Sequence, residues 1–193
     1  MKKFLNYALS ALAFTLAVSF AKANAIGGNI NVINNGIVKV EVSNNITAHS
    51  ISISDANGNQ LYELDGLKAG AFKNLDFSFV PDGRYFIKIE NEKTIETTQV
   101  DKSNGEISIT QKPELLVKPI FRRSGDRLNV YFMNPDKSDV QVDVYNENNV
   151  LVNTLQTNDE VIEKAFDFSK SLRGNYKVVL AQQNNIFSSD FDY

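Results

Sequence analysis

Leu75-Asp76-Phe77-Ser78, followed by Gly83-Arg84-Tyr85-Phe86-Ile87, returns 91 residues later as Phe166-Asp167-Phe168-Ser169, followed by Gly174-Asn175-Tyr176-Lys177-Val178. At the same offset Ile51 aligns with Val142, Ile53 with Val144, Ile89 with Leu180 and Ile95 with Ile186. One residue of slip aligns Val40 with Val130 and Asn44 with Asn134. A period this long exceeds that of stacked solenoid repeats and reads as two copies of a whole domain. Phe77 and Phe168 alternate with polar neighbours, which makes each an anchor of a core. Gly83 and Gly174 supply a turn and are expected at positive φ. Tyr85 and Tyr176 open the next strand, where a ring packs inward and its hydroxyl bonds nearby backbone, as in a tyrosine corner. Asp76 and Asp167 are expected to bond backbone close to themselves.

Outward from this motif the chain alternates with period two. Val38, Val40 and Val42 alternate with Lys39, Glu41 and Ser43; Val140, Val142 and Val144 alternate with Gln141, Asp143 and Tyr145. Ile51 and Ile53, Ile87 and Ile89, and Ile107 and Ile109 repeat the pattern. Such alternation turns one face of a strand to a core and the other to water. Asn57-Gly58, Pro81-Asp82-Gly83, Asn104-Gly105, Ser124-Gly125-Asp126 and Asn148-Asn149 punctuate the strands as hairpin turns. The expected fold is therefore all-β: two tandem immunoglobulin-like antiparallel β-sandwich units, 26–112 and 113–193, divided at Lys112-Pro113, where a proline interrupts strand-like sequence. The one helical turn expected lies at Asp159 to Ala165.

Residues 1–25 read as a signal peptide. Lys2 and Lys3 precede an apolar run from Ala8 to Phe20, and Ala21, Ala23 and Ala25 follow. The run is shorter than the roughly 20 residues that span a bilayer. Cleavage fits after Ala23 (Ala21-Lys22-Ala23) or after Ala25 (Ala23-Asn24-Ala25), and Ala25 is preferred because it places Gly27-Gly28 at the start of the mature chain. Losing Lys2, Lys3 and Lys22 takes the net charge from −3 to −6, which disfavours nucleic acid or an anionic membrane as partner. There is no cysteine, so no lipid-modified cysteine and no disulfide. Stability has to come from burial and strand pairing.

Candidate chemistry is thin. His49 is the sole histidine and no cysteine exists, which leaves nucleophilic catalysis and ordinary zinc sites without their residues. Asp76 and Asp167 form the best carboxylate pair, yet their duplication argues against a single active centre. Asp55-Ala56-Asn57-Gly58-Asn59 with Glu63 has some likeness to a calcium loop, but its glycine falls at position four rather than six; a hairpin turn explains the same residues. Lys118, Arg122, Arg123 and Arg127 form the one basic cluster, expected to decorate strand edges. Phe187, Phe191 and Tyr193 either expose aromatics to a ligand or close the second core. No catalytic, cofactor-binding or metal residue is assigned, and no cofactor is expected.

In the second unit Asn134-Pro135, the strand Val140 to Tyr145, Asn148-Asn149 and Gly174-Asn175-Tyr176 follow one another; the first has Asn57-Gly58 and Gly83-Arg84-Tyr85. This succession resembles the immunoglobulin-like C-terminal modules of proteins exported by the type IX secretion system of Bacteroidetes. The resemblance implies a β-sandwich fold and export, with the C-terminal unit as a sorting signal. Such modules usually end in a lysine-bearing aliphatic strand, whereas Ser189-Asp190-Phe191-Asp192-Tyr193 is acidic and aromatic. The functional expectation is a secreted, non-enzymatic binding or structural protein of the periplasm, cell surface or medium, meeting a cell-surface protein or glycan. The alternative is a type IX substrate whose second unit is the sorting signal.

Overall fold

The computed structural model describes residues 27–34, 36–45, 47–48 and 50–193. The expected signal peptide and His49 lie outside the described residues. The elements are β1 (Gly28–Asn34), β2 (Ile37–Val42), β3 (Ser50–Asp55), β4 (Gln60–Asp65), β5 (Phe72–Asp76), β6 (Gly83–Glu90), β7 (Thr94–Ser103) and β8 (Glu106–Ser108). They continue as β9 (Glu114–Val117), β10 (Ile120–Ser124), β11 (Arg127–Met133), β12 (Val140–Asn146), β13 (Leu151–Thr157), β14 (Val161–Asp167), β15 (Asn175–Gln182) and β16 (Asn185–Asp192). No helix occurs among the described residues, and every pairing is antiparallel.

The sheets run β1-β2-β5 and β4-β3-β6-β7-β8 in the first half, β10-β11-β14 and β13-β12-β15-β16 in the second. Each pair of sheets encloses a core. Val38, Val40, Ile51, Leu75, Phe77, Ile87, Ile89 and Val100 are buried in one cluster. Leu128, Val130, Val142, Val144, Ile162, Phe168, Val178 and Leu180 are buried in the other. The inward residues are the apolar members of the period-two pattern, so burial of β-branched side chains decides which face of each strand turns in. The fold is the expected all-β sandwich.

The hairpin registers match at the 91-residue offset. Tyr85 faces Val100 and Ile87 faces Thr98 across β6 and β7; Tyr176 faces Phe191 and Val178 faces Ser189 across β15 and β16. The helical turn expected at Asp159 to Ala165 is instead strand β14. Ile162 and Phe166 are four apart, a spacing that is one helical turn and also two strand periods. Pairing with β11, which sets Ile162 against Phe132 and Phe166 against Leu128, selects the strand.

The break at Lys112-Pro113 falls between β8 and β9. β8 pairs with Asp101–Ser103 of β7, and β9 pairs with Thr94–Thr97 on the same edge. Residues 114–117 thus lend their backbone to the first large sheet while Leu116 packs against the second core. Only Lys118 and Pro119 separate β9 from β10.

Gly83 and Gly174 sit at φ 159° and 156°, at the far end of the region that glycine enters freely. A Cβ on Gly83 would meet nothing within 4 Å, so a side chain there is opposed by backbone conformation alone. Gly83→Val is expected to destabilise the protein by about 1 kcal/mol or more; thermal melting checks this, and an unchanged midpoint would refute the role given to the turn.

Candidate functional site

The duplicated motif forms the same structure twice. At the end of β5, Asp76 Oδ1 accepts the Ser78 N–H at 2.8 Å, and at the end of β14 Asp167 Oδ1 accepts the Ser169 N–H at 2.9 Å. These are aspartate turns, which stop a strand by giving its backbone a local partner. The next residue is driven into the core. Phe77 and Phe168 are 2% and 5% exposed. Their N–H groups donate to Gly36 O (2.7 Å) and Asp126 O (2.8 Å).

The chain then crosses to the other sheet, where the tyrosine holds it. Tyr85 Oη donates to Pro81 O at 2.6 Å and Tyr176 Oη donates to Leu172 O at 2.7 Å, four residues back in both cases. The rings stack edge-on against the phenylalanines, with centroids 5.5 Å apart for Phe77 and Tyr85 and 5.0 Å apart for Phe168 and Tyr176. Burial, followed by the charges of Asp55 and Asp82, raises the Tyr85 phenol above its ordinary value, so the neutral donor is the folded form.

A residue that the sequence reading did not single out completes the first corner. Lys102 is 8% exposed, and its ammonium donates to Phe77 O (2.9 Å), Ser78 O (3.3 Å) and Val80 O (2.7 Å). It caps the carbonyls left by the crossover. The signal was its phase: Lys102 stands inward with Thr98 and Val100 in the alternation of β7. Lys102 faces Gly83. The position facing Gly174 is Tyr193, with which it exchanges two backbone bonds of 3.0 Å. Tyr193 stacks instead on Phe168 (5.9 Å), beside Phe191 at 4.9 Å from the same ring. Phe187, Phe191 and Tyr193 therefore pack against the second core.

The other candidates are held by their own surroundings. Asp55 Oδ1 accepts the N–H groups of Asn57 and Asn59, both at 2.9 Å, and Oδ2 accepts the Asn59 amide at 2.9 Å. The Asn59 side chain foremost holds the Asp55 carboxyl below its usual value. Glu63 accepts from Gln60. Among the described residues no three potential metal-ligating side chains gather. The basic cluster disperses. Lys118 reaches Glu90 of the first half, Arg123 donates to the Asp192 and Gly125 carbonyls, and Arg127 lies 3.8 Å from Asp167. Asn134, fully buried, donates to Ser138 O and Asp159 O and accepts from Gln182 Nε2 at 2.9 Å, whereas the aligned Asn44 is exposed.

Residues 24–102 match the family described as the secretion system C-terminal sorting domain. The resemblance read from the motifs thus holds over the first half, and the match ends on Lys102. No curated protein matches the chain. Among solved structures it is similar to the BSP domain of a biofilm-associated protein, at 13% identity and TM-score 0.30, covering 86% of this chain and 28% of that one. It is also similar to a two-domain fibronectin type-III segment of chicken tenascin, at 10% identity and TM-score 0.31, covering 86% and 97%. A β-glucuronidase from Ruminococcus gnavus is similar at 13% identity and TM-score 0.30, covering 81% and 36%.

Two outcomes are expected of the corner. Tyr85→Phe and Tyr176→Phe, which keep the ring and lose the donor, should each cost about 1 kcal/mol, read by denaturant unfolding; no loss in either would deny the hydroxyl its role. Asp76 and Asp167 are both held below the ordinary carboxylate value, first by the N–H of Ser78 and of Ser169. A lowered folded pKa stabilises above the unfolded pKa and is lost as pH falls through the folded one. Asp76→Asn with Asp167→Asn keeps an acceptor and removes the titration. The acid decline of the melting temperature below about pH 4 should therefore be shallower in the double variant, and an unaltered acid limb would contradict the assignment.

Proposed function

We propose that the protein is a type IX export substrate built from two copies of one immunoglobulin-like module and released from its leader at Ala25. It acts beyond the inner membrane as a non-enzymatic binding or structural protein. The observation that carries this reading is the sorting-domain match over residues 24–102. The duplicated corner supports treating the second half as a copy of the matched one, since the tyrosine bond and the ring pair recur with nearly the same dimensions. The non-enzymatic role is supported by the occupation of the strongest carboxylates: Asp55, Asp76 and Asp167 all accept bonds from their own turns.

The alternative, in which the second half is a sorting signal removed on arrival, is separated from this by mass. The native protein is isolated from periplasm, cell surface and medium, and its intact mass is measured. A surface or medium species with the mass of Ile26 to Tyr193 is expected. A species ending near residue 112 would transfer the sorting role to the second half, and a retained leader would remove export from the reading.

A further inference from the structure

A cavity of about 820 Å³ lies where the second half meets the outer face of the first large sheet. Its floor is the solvent-side face of β3, β6 and β7, with Ser52, Ser54, Phe86 and Thr97. One wall is the β3–β4 turn. The opposite wall is the β11–β12 turn at Pro135 and Asp136 and the β15–β16 hairpin at Gln183, Asn184 and Asn185. The two walls belong to different halves, and their spacing has a covalent cause. β9 is laddered to β7, the Lys118 N–H donates to Lys93 O at 2.8 Å, and the Lys118 ammonium pairs with Glu90. Two residues later the chain is in the second sandwich.

The chemistry of the lining is selective. Nine lining side chains are neutral hydrogen-bonding groups, six amides and three hydroxyls, against four charged ones; of the amides, Gln60, Gln182 and Gln183 already donate within the protein, to Glu63, to Asn134 and Ser138, and to Asp136. Asp55 and Asp136, two of those four, are engaged with Asn59 and with Gln183. The remaining charges, Lys88 and Glu114, are of opposite sign. Amides donate and accept at once, as do ligand hydroxyls. Phe86 is half-buried and lines the floor, an aromatic ring of the kind that packs on the C–H face of a sugar ring. With three carboxylates and one ammonium, the lining opposes a polyanion. The volume falls in the range of ligand sites, which favour junctions between domains.

We infer that this cleft is a binding site for a neutral oligosaccharide, its floor supplied by the first half and one wall by the second. The inference rests on the reading of the protein as an exported binding module and names the ligand class of that module.

The test is calorimetric titration of the full mature chain with four neutral hexasaccharides, cellohexaose, xylohexaose, mannohexaose and chitohexaose, with polygalacturonate as the acidic comparison. Saturable binding of at least one neutral probe is expected. Phe86→Ala should weaken it about tenfold, through loss of ring stacking, while Phe86→Tyr keeps it. Asn185→Ala, on the opposite wall, should weaken it about threefold or more, and it carries the test if Phe86→Ala does not fold. No saturation by any neutral probe, saturation by polygalacturonate alone, or binding indifferent to both Ala variants would overturn the site. Cell fractionation of the Asn185→Ala variant keeps the outcomes apart: export as for the unaltered chain with binding lost concerns the cleft, and failure of the unaltered chain to leave the cell concerns the export reading.

Discussion

In each half the chain has to leave one sheet and enter the other within a few residues, between Phe77 and Tyr85 and between Phe168 and Tyr176, without stranding carbonyls inside. The tyrosine answers both demands with one side chain. Its ring packs on the phenylalanine that follows the previous strand, and its hydroxyl donates to the carbonyl four residues upstream. The bond contributes modestly to net stability, but it acts on register. A slip of β6 by one residue would turn Tyr85, Ile87 and Ile89 to water together. In a chain without disulfides the corner joins the two sheets by packing and hydrogen bonding alone.

The two halves fill the position facing the corner glycine differently. In the first, the Lys102 ammonium is withdrawn from water and satisfied by three backbone oxygens, an arrangement that offsets desolvation only because all three are aligned on it. Its charge also adds, as a lesser cause, to the lowering of the Asp76 carboxyl. In the second, Tyr193 brings a ring, and with Phe168, Tyr176 and Phe191 it makes an aromatic group where the first half keeps a charge. The divergence at one inward position is thus chemical, a polar cap exchanged for an apolar one.

Most of the architecture was legible because β-branched residues alternate cleanly with polar ones, and that pattern has only one face to bury. The corner residues were legible because they are duplicated; coincidence seldom repeats an aspartate, a phenylalanine, a glycine and a tyrosine at fixed spacing. What escaped was set by partners distant in sequence. Ile162 and Phe166 suit two periods until β11 selects one. Lys102 is informative only once β7 is known to face inward at that position. Asn134 and Asn44 align by sequence but differ in burial, because Gln182 and the 159–160 backbone close over Asn134 alone.

The junction ties the two halves together through both backbone and side chain. The division was placed at Lys112-Pro113 because proline cannot donate to a ladder, and four residues past Pro113 the chain is paired with β7. The reason lies in β7 itself. At ten residues it is the longest strand, and β8 covers only three of its positions, leaving Thr94–Thr97 with open hydrogen-bonding groups. β9 takes that edge, which also protects it from pairing with another chain. The next proline, Pro119, follows the last bond to the first half, the one from Lys118 N to Lys93 O, and there its missing N–H costs nothing. The turn from one sandwich into the next is therefore made at Pro119 rather than Pro113, directly beside the sheet, and the cleft between the halves is a geometric consequence of ending one ladder and beginning another within two residues.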